Sequence, residues 1–103
     1  MVRDKHYYTR YVYLLTHNPD RVRDMPLIKA HVAHLKMLDE RHQLELCGPF
    51  TDFDGGMVIL KNVSYSEAKD IAENDPFVSS GVESYELRTW ELSCAENNHM
   101  GMG

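Results

Sequence analysis

Basic side chains are in short supply: eleven lysines and arginines stand against sixteen aspartates and glutamates in 103 residues, a net charge of −5 with histidine neutral. A nucleic acid or an anionic membrane surface needs a basic footprint, so neither is an expected partner. Cysteine is scarce too. Cys47 and Cys94 stand apart, without the paired spacing of a zinc ribbon or a redox motif, and reduced thiols in a cytosol-like compartment are expected. No apolar run approaches the length of a membrane span. The N-terminus offers Arg3 and Lys5, but the following HYYTRYVYLL is broken by Thr9 and Arg10 and lacks a signal core or cleavage site. These absences together predict a cytoplasmic protein. Low-complexity segments, internal repeats and interdomain linkers are also missing, and 43% hydrophobic with 26% charged residues is the composition of one globular domain. A domain of this length buries only about two-thirds of its unfolded surface, so homodimer formation would add needed burial.

What is present is a regular alternation of strand and helix signals. Tyr7 to Leu15 is β-branched and aromatic with apolar side chains on both faces, which predicts a first strand covered on both sides. THNPDRVRDM is a loop with Asn18-Pro19-Asp20 as turn chemistry; Asp24 is the expected N-cap and Pro26 suits a first helical turn. Leu44, Leu46 and Phe50 alternate as a second strand that runs through Gly48-Pro49. Asp52 to Gly56 is a turn, and Met57 to Val63 is a third strand, paired with the second as a hairpin. Ser64 and Glu67 form a capping-box pattern at the head of a second helix, which Asp75-Pro76-Phe77 stops. Gly81 marks a turn before a fourth strand, Glu83 to Leu92. The polar tail from 93 to 103 is expected to be flexible, leaving residues 1–92 as the domain. The order predicts an α+β, ferredoxin-like βαββαβ sandwich, with two helices on one sheet face. The other face would expose an apolar patch larger than monomers usually tolerate, which predicts face-to-face pairing into a dimeric α/β barrel.

The stretch that organises the chain is PLIKAHVAHLKMLDERHQLELCGPF, residues 26–50. Ile28, Val32, Leu35 and Leu38 recur at helical steps along one apolar stripe, and His31 falls on it. An imidazole held against apolar surface must either be satisfied by a hydrogen bond or serve chemistry, and the residues alone leave both open. His34 lies at the flank of the stripe and His42 near the helix end.

Ala30-His31-Val32 with Leu35 and Leu38, then Gly48-Pro49, Gly55-Gly56, Asp75-Pro76-Phe77 with Gly81, and Arg88-Thr89-Trp90 together resemble the YCII-related (YciI-like) domain family, across nearly the whole chain. The resemblance implies a ferredoxin-like, usually dimeric fold, similar to muconolactone isomerases and to some dehydrochlorinases of aromatic breakdown. It also implies a histidine–aspartate pair at the active site. The histidine maps onto His31. The aspartate maps onto Asp75, with Asp52 as the alternative because it follows Gly-Pro closely. Relatives often have glycine in the turn after the first helix, where this chain has Arg41-His42-Gln43, so His42 is expected in a left-handed conformation.

A carboxylate beside an imidazole fixes its tautomer and stabilises the imidazolium, leaving the second nitrogen to move a proton. That suits lactone isomerisation, proton abstraction beside a carbonyl, or elimination of halide from a ring. The expected function is therefore cofactor-independent isomerase or lyase chemistry on a small cyclic or aromatic metabolite; the alternative is a non-catalytic, small-ligand binding or accessory dimer. Gly48 and Pro49 are candidate pocket-wall residues and Asp52 a further one. Arg10 and Arg88 are candidate carboxylate-binding residues, with ion pairing to a glutamate as the plainer reading. His31 and His34 lack a third metal ligand at a recognised interval, so no metal is expected. No phosphate-cradling glycine loop precedes either helix, so no nucleotide cofactor is expected.

Overall fold

Residues 6–101 are described in a computed structural model. Arg3, Lys5 and the last two residues of the predicted tail lie outside the described residues. Strand β1, Thr9–His17, is followed by helix α1, Met25–Glu40. Asp24 caps α1 by accepting the Leu27 amide at 2.9 Å, and Pro26 sits in the first turn where its missing N–H is not needed. The helix ends in paired bonds, His42 N to Asp39 O at 3.0 Å and Gln43 N to Leu38 O at 2.9 Å. This closure needs a left-handed residue, and His42 supplies it at φ 59°.

Strands β2, Leu44–Pro49, and β3, Gly55–Leu60, form the hairpin. β3 begins two residues earlier than the apolar pattern suggests, because Gly55 and Gly56 already pair with β1 and β2. A Cβ on Gly55 would meet the Leu15 carbonyl oxygen at 2.0 Å, so only glycine lets the hairpin approach β1 there. Helix α2, Tyr65–Asn74, opens with the expected reciprocal box: Glu67 N to Ser64 Oγ at 3.1 Å and Ser64 N to the Glu67 carboxylate at 2.9 Å. The chain does not leave helical geometry for good at Asp75-Pro76. Asp75 ends α2 and its side chain accepts the Phe77 amide at 3.0 Å, starting a further turn, α3, Pro76–Ser79. Strand β4, Glu83–Glu91, follows the positive-φ turn at Gly81.

The sheet order is β2-β3-β1-β4, antiparallel throughout. That is the ferredoxin-like α+β sandwich the sequence predicts, with three α-helices among the described residues rather than two. Tyr13 stands opposite Val58 and Leu87, and Leu15 opposite Gly56 and Tyr85, on the face that the helices cover. Tyr13, Leu15, Leu38, Val58, Leu60, Ala68 and Ala72 form the core. The opposite face carries Val12, Leu14, Met57 and Ile59, with Leu46 and Trp90 exposed. Beyond β4, a single 3-10 turn over Ala95–Asn97 is held by Asn97, whose side chain accepts from the Cys94 amide and donates to the Leu92 carbonyl.

The stripe on α1 is not uniformly packed. Leu38 at its C-terminal end is fully buried, whereas Ile28, His31 and Leu35 are half-buried and Val32 is exposed. The first turns of α1 stand over a gap between the helix and the β2–β3 hairpin. That gap is the candidate site.

Candidate active site

The gap is a cleft of about 510 Å³, within the range that accommodates small organic ligands. Ile28, Val32 and Leu35 of α1 form one wall, and Phe50 and Phe53 from the hairpin loop form another, their rings in edge contact at 6.2 Å. His31, Cys47, Arg23, Asp54 and Glu83 are polar groups at its surface.

His31 reaches its position because it occupies the apolar stripe, and its partner comes from the junction of α2 and α3. His31 Nδ1 lies 2.8 Å from Asp75 Oδ1. The Asp75 carboxylate has no solvent exposure and takes two further donors, the Tyr13 hydroxyl on Oδ2 at 2.8 Å and the Phe77 amide on Oδ1. Removing a carboxylate from water costs several kcal/mol, and these donors offset it with charge-assisted bonds. An ionised carboxylate only accepts, so Nδ1 carries the hydrogen and the lone pair of neutral His31 is on Nε2. Nε2 makes no hydrogen bond among the described residues. The Phe77 ring stacks on the imidazole, centroids 4.0 Å apart and planes at 15°, which restricts its rotation.

The surroundings tune the neighbours. Burial, reinforced by the charge and hydrogen bond of Asp75, pushes the Tyr13 phenol far above its ordinary range, so Tyr13 is a fixed donor to the carboxylate. Burial pushes His34 down, against a smaller opposing pull from Asp75. His34 does not line the cleft, and its buried Nε2 has no hydrogen-bond partner among the described residues. Cys47 does line it, but burial and the charge of Asp39 push the thiol up, so it remains protonated near neutral pH.

At another part of the wall, Arg23 is clamped. Its Nε donates to the Glu83 carboxylate at 2.7 Å and its Nη2 to Asp54 at 2.6 Å, while Asp54 also meets His17 Nδ1 at 2.8 Å. Burial pulls the guanidinium down, but the two carboxylates outweigh it and hold Arg23 above its usual value. The same contacts, hydrogen bonds from Arg23 and then His17, hold Asp54 below the usual carboxylate range.

Of the residues singled out in the sequence, His31 and Asp75 meet, and Gly48 and Pro49 line the cleft. A Cβ on Gly48 would meet nothing within 4 Å, so no close backbone approach requires glycine there. Asp52 is exposed on the hairpin loop and is not at the cleft wall. Arg10 is bound by Glu45 and by the carbonyls of Tyr7 and Thr9, and borders a separate hollow with Lys61 and Tyr65. Arg88 is exposed and pairs with Glu86. Among the described residues, no three His, Cys, Asp or Glu side chains gather as a metal set.

The sequence offers no role at His31 for Tyr13 or Phe77, and none at the cleft wall for Arg23 or Glu83. One signal for the last pair was present. Glu83 shares the core-facing register of β4 with Tyr85 and Leu87, and a carboxylate on an apolar face requires a cationic partner. The Arg23 that answers it sits in a polar loop that reads as solvated.

Comparison with known proteins gives a consistent picture. Residues 9–91 match the YCII-related domain. Protein YjpA of Bacillus subtilis, itself uncharacterized, is 32% identical over 65 residues, covering 63% of this chain and 76% of YjpA. The structure of 5-chloro-2-hydroxyhydroquinone dehydrochlorinase (TftG) from Burkholderia phenoliruptrix, in complex with 2,5-dihydroxybenzoquinone, superposes with a TM-score of 0.68 at 23% identity. The match covers 85% of this chain and 98% of that one. At that identity the likeness speaks for the fold. The chain belongs to the YCII-related domain family.

Proposed function

We propose that this protein is a cofactor-independent enzyme that moves a proton on a small cyclic or aromatic metabolite, with His31 as general acid/base and Asp75 as the carboxylate that orients it. The observation that carries this reading is the 2.8 Å His31–Asp75 contact beside an apolar cleft, with Nε2 unengaged among the described residues. Nε2 takes a proton from an acidic C–H or O–H of the ring. The electron pair left behind shifts through the conjugated system and either expels chloride from a saturated ring carbon or is reprotonated at another carbon. His31 returns its proton to the product or to water, which completes an elimination of HCl or an isomerisation. The name of the TftG relative, a dehydrochlorinase of a hydroxyhydroquinone, supports this substrate class. Gly48 and Pro49 form part of the binding wall. The working unit in this reading is a homodimer, paired through the sheet face that carries Leu46 and Trp90, in the reducing cytoplasm that the free thiols of Cys47 and Cys94 suit.

One observation favours a non-catalytic, ligand-binding or accessory role instead. Asp75 caps α3, and Phe77 stacks on His31, so both members of the pair also have structural employment. His31→Gln separates the two readings. Wild type and variant are incubated with small lactones, chlorinated phenols and cyclic ketones, following melting temperature and, by mass spectrometry, products. The enzyme reading predicts that both fold, that both are stabilised by the same compound, and that turnover falls about 10²- to 10⁴-fold in the variant. Ligand stabilisation without conversion by wild type would establish the binding role.

A further inference from the structure

We propose that Arg23 holds the reacting oxygen of the ligand in the cleft, and that the ligand is a ring compound carrying a carbonyl or hydroxyl oxygen rather than a free carboxylate. This deepens the proton-transfer reading above and rests on it.

Arg23 and His31 line the same cleft. The side edge of the guanidinium, Nε and Nη2, is consumed by Glu83 and Asp54. Nη1 makes no hydrogen bond among the described residues, which leaves the end of the fork unused. A guanidinium does not give up its proton under ordinary conditions, so Arg23 serves as a hydrogen-bond donor and leaves proton transfer to His31. Its two carboxylate clamps, one of them on the buried Glu83, fix the plane of the fork before any ligand arrives.

Charge decides the ligand class. Two carboxylates on one guanidinium leave no surplus positive charge at that wall to draw in a free carboxylate. Donors held in place before a ligand arrives still stabilise negative charge that develops on a neighbouring oxygen during reaction, and they do so without reorganising. A ring carbonyl or hydroxyl meets both conditions. When His31 Nε2 removes the proton, the electron pair moves onto the ring oxygen as an enolate or phenolate, and the free N–H groups of Arg23 receive that charge. The pair then returns to expel chloride from a saturated ring carbon or to take up a proton at another carbon. The apolar walls of Ile28, Val32, Phe50 and Phe53 suit the rest of such a ring.

The test uses 4-nitrocatechol, whose visible absorption reports its ionisation, with benzoate as the carboxylate comparison. Arg23→Lys keeps a cation against Glu83 but has no fork. The double variant Arg23→Met with Glu83→Leu removes both partners, so that no buried carboxylate is left alone. The expected result, at a pH where free 4-nitrocatechol is mostly neutral, is that wild type binds it more tightly than benzoate and that the phenolate absorption appears as His31 takes the proton. Both Arg23 variants weaken it by about tenfold or more, while His31→Gln leaves most of the affinity. Equal binding by wild type and folded Arg23→Lys, or tighter binding of benzoate, overturns the assignment to Arg23 and leaves the His31 reading standing. If wild type binds neither compound, the cleft is not a site for such rings and both readings fall.

Discussion

Tyr13 ties the stability of the protein to the geometry of its candidate site. Its hydroxyl is one of the donors that make a fully buried Asp75 tolerable, and its proton is held far more firmly than in an unfolded chain. A raised folded-state pKa on an acid stabilises the native state at pH below the unfolded value of 10.0, and that contribution is lost as the pH rises beyond it. Tyr13→Phe is therefore expected to cost about 1.5–3 kcal/mol in urea unfolding at neutral pH, the worth of a hydrogen bond to a charged group. The gap between variant and wild type should then narrow above pH 10, at up to about 1.4 kcal/mol per pH unit. A gap that stays constant to pH 11 would show that the phenol does not bond the carboxylate. At this scale the sequence reveals residue type and face, and little about partners. His31 stands out because it interrupts an apolar stripe, and Asp75 only because the family resemblance maps an aspartate onto the head of the Asp-Pro-Phe motif. Tyr13 is hidden among six tyrosines, since alternation places it on a face but not opposite Asp75.

Elements were largely legible where local chemistry decides them. The Asp24 cap, the Ser64–Glu67 box and the stop at Asp75-Pro76 are all interactions within a few residues, and the structure shows each one. α3 was not legible, because Asp75 acts on both sides of itself, closing one helix and opening the next. The end of α1 makes the energetic point. His42 occupies the left-handed position of a helix closure that glycine adopts without strain, at φ 59°. His42→Gly is expected to stabilise the fold by about 1 kcal/mol, less whatever the extra flexibility of the unfolded chain takes back. Urea midpoints of the two proteins check this. A destabilised variant would mean that the His42 side chain makes a contact worth more than the strain.

At the scale of the whole molecule, the strand and helix order was readable because turn residues punctuate it and the period switches between them. The cleft was not, because it forms where α1, the hairpin loop, the segment before α1 and the start of β4 converge from distant parts of the chain. The exposed sheet face is a consequence of the same order: two layers leave one face of the sheet without helices. With Leu46 67% and Trp90 44% exposed there, sedimentation at twice the monomer mass is expected, and Leu46→Glu with Trp90→Glu should return a folded monomer. A wild-type monomer at micromolar concentration would contradict pairing through this face. The central claim, that His31 transfers a proton in the cleft, is tested most directly by hydrogen–deuterium exchange on the ligand itself. A cyclic ketone or chlorinated phenol that stabilises the protein is incubated in D2O with wild type or His31→Gln, and its ring protons are followed by NMR. Wild type is expected to speed loss of a ring proton signal and His31→Gln to slow it about 100-fold or more; equal exchange in the two proteins would contradict a proton-transfer role for His31.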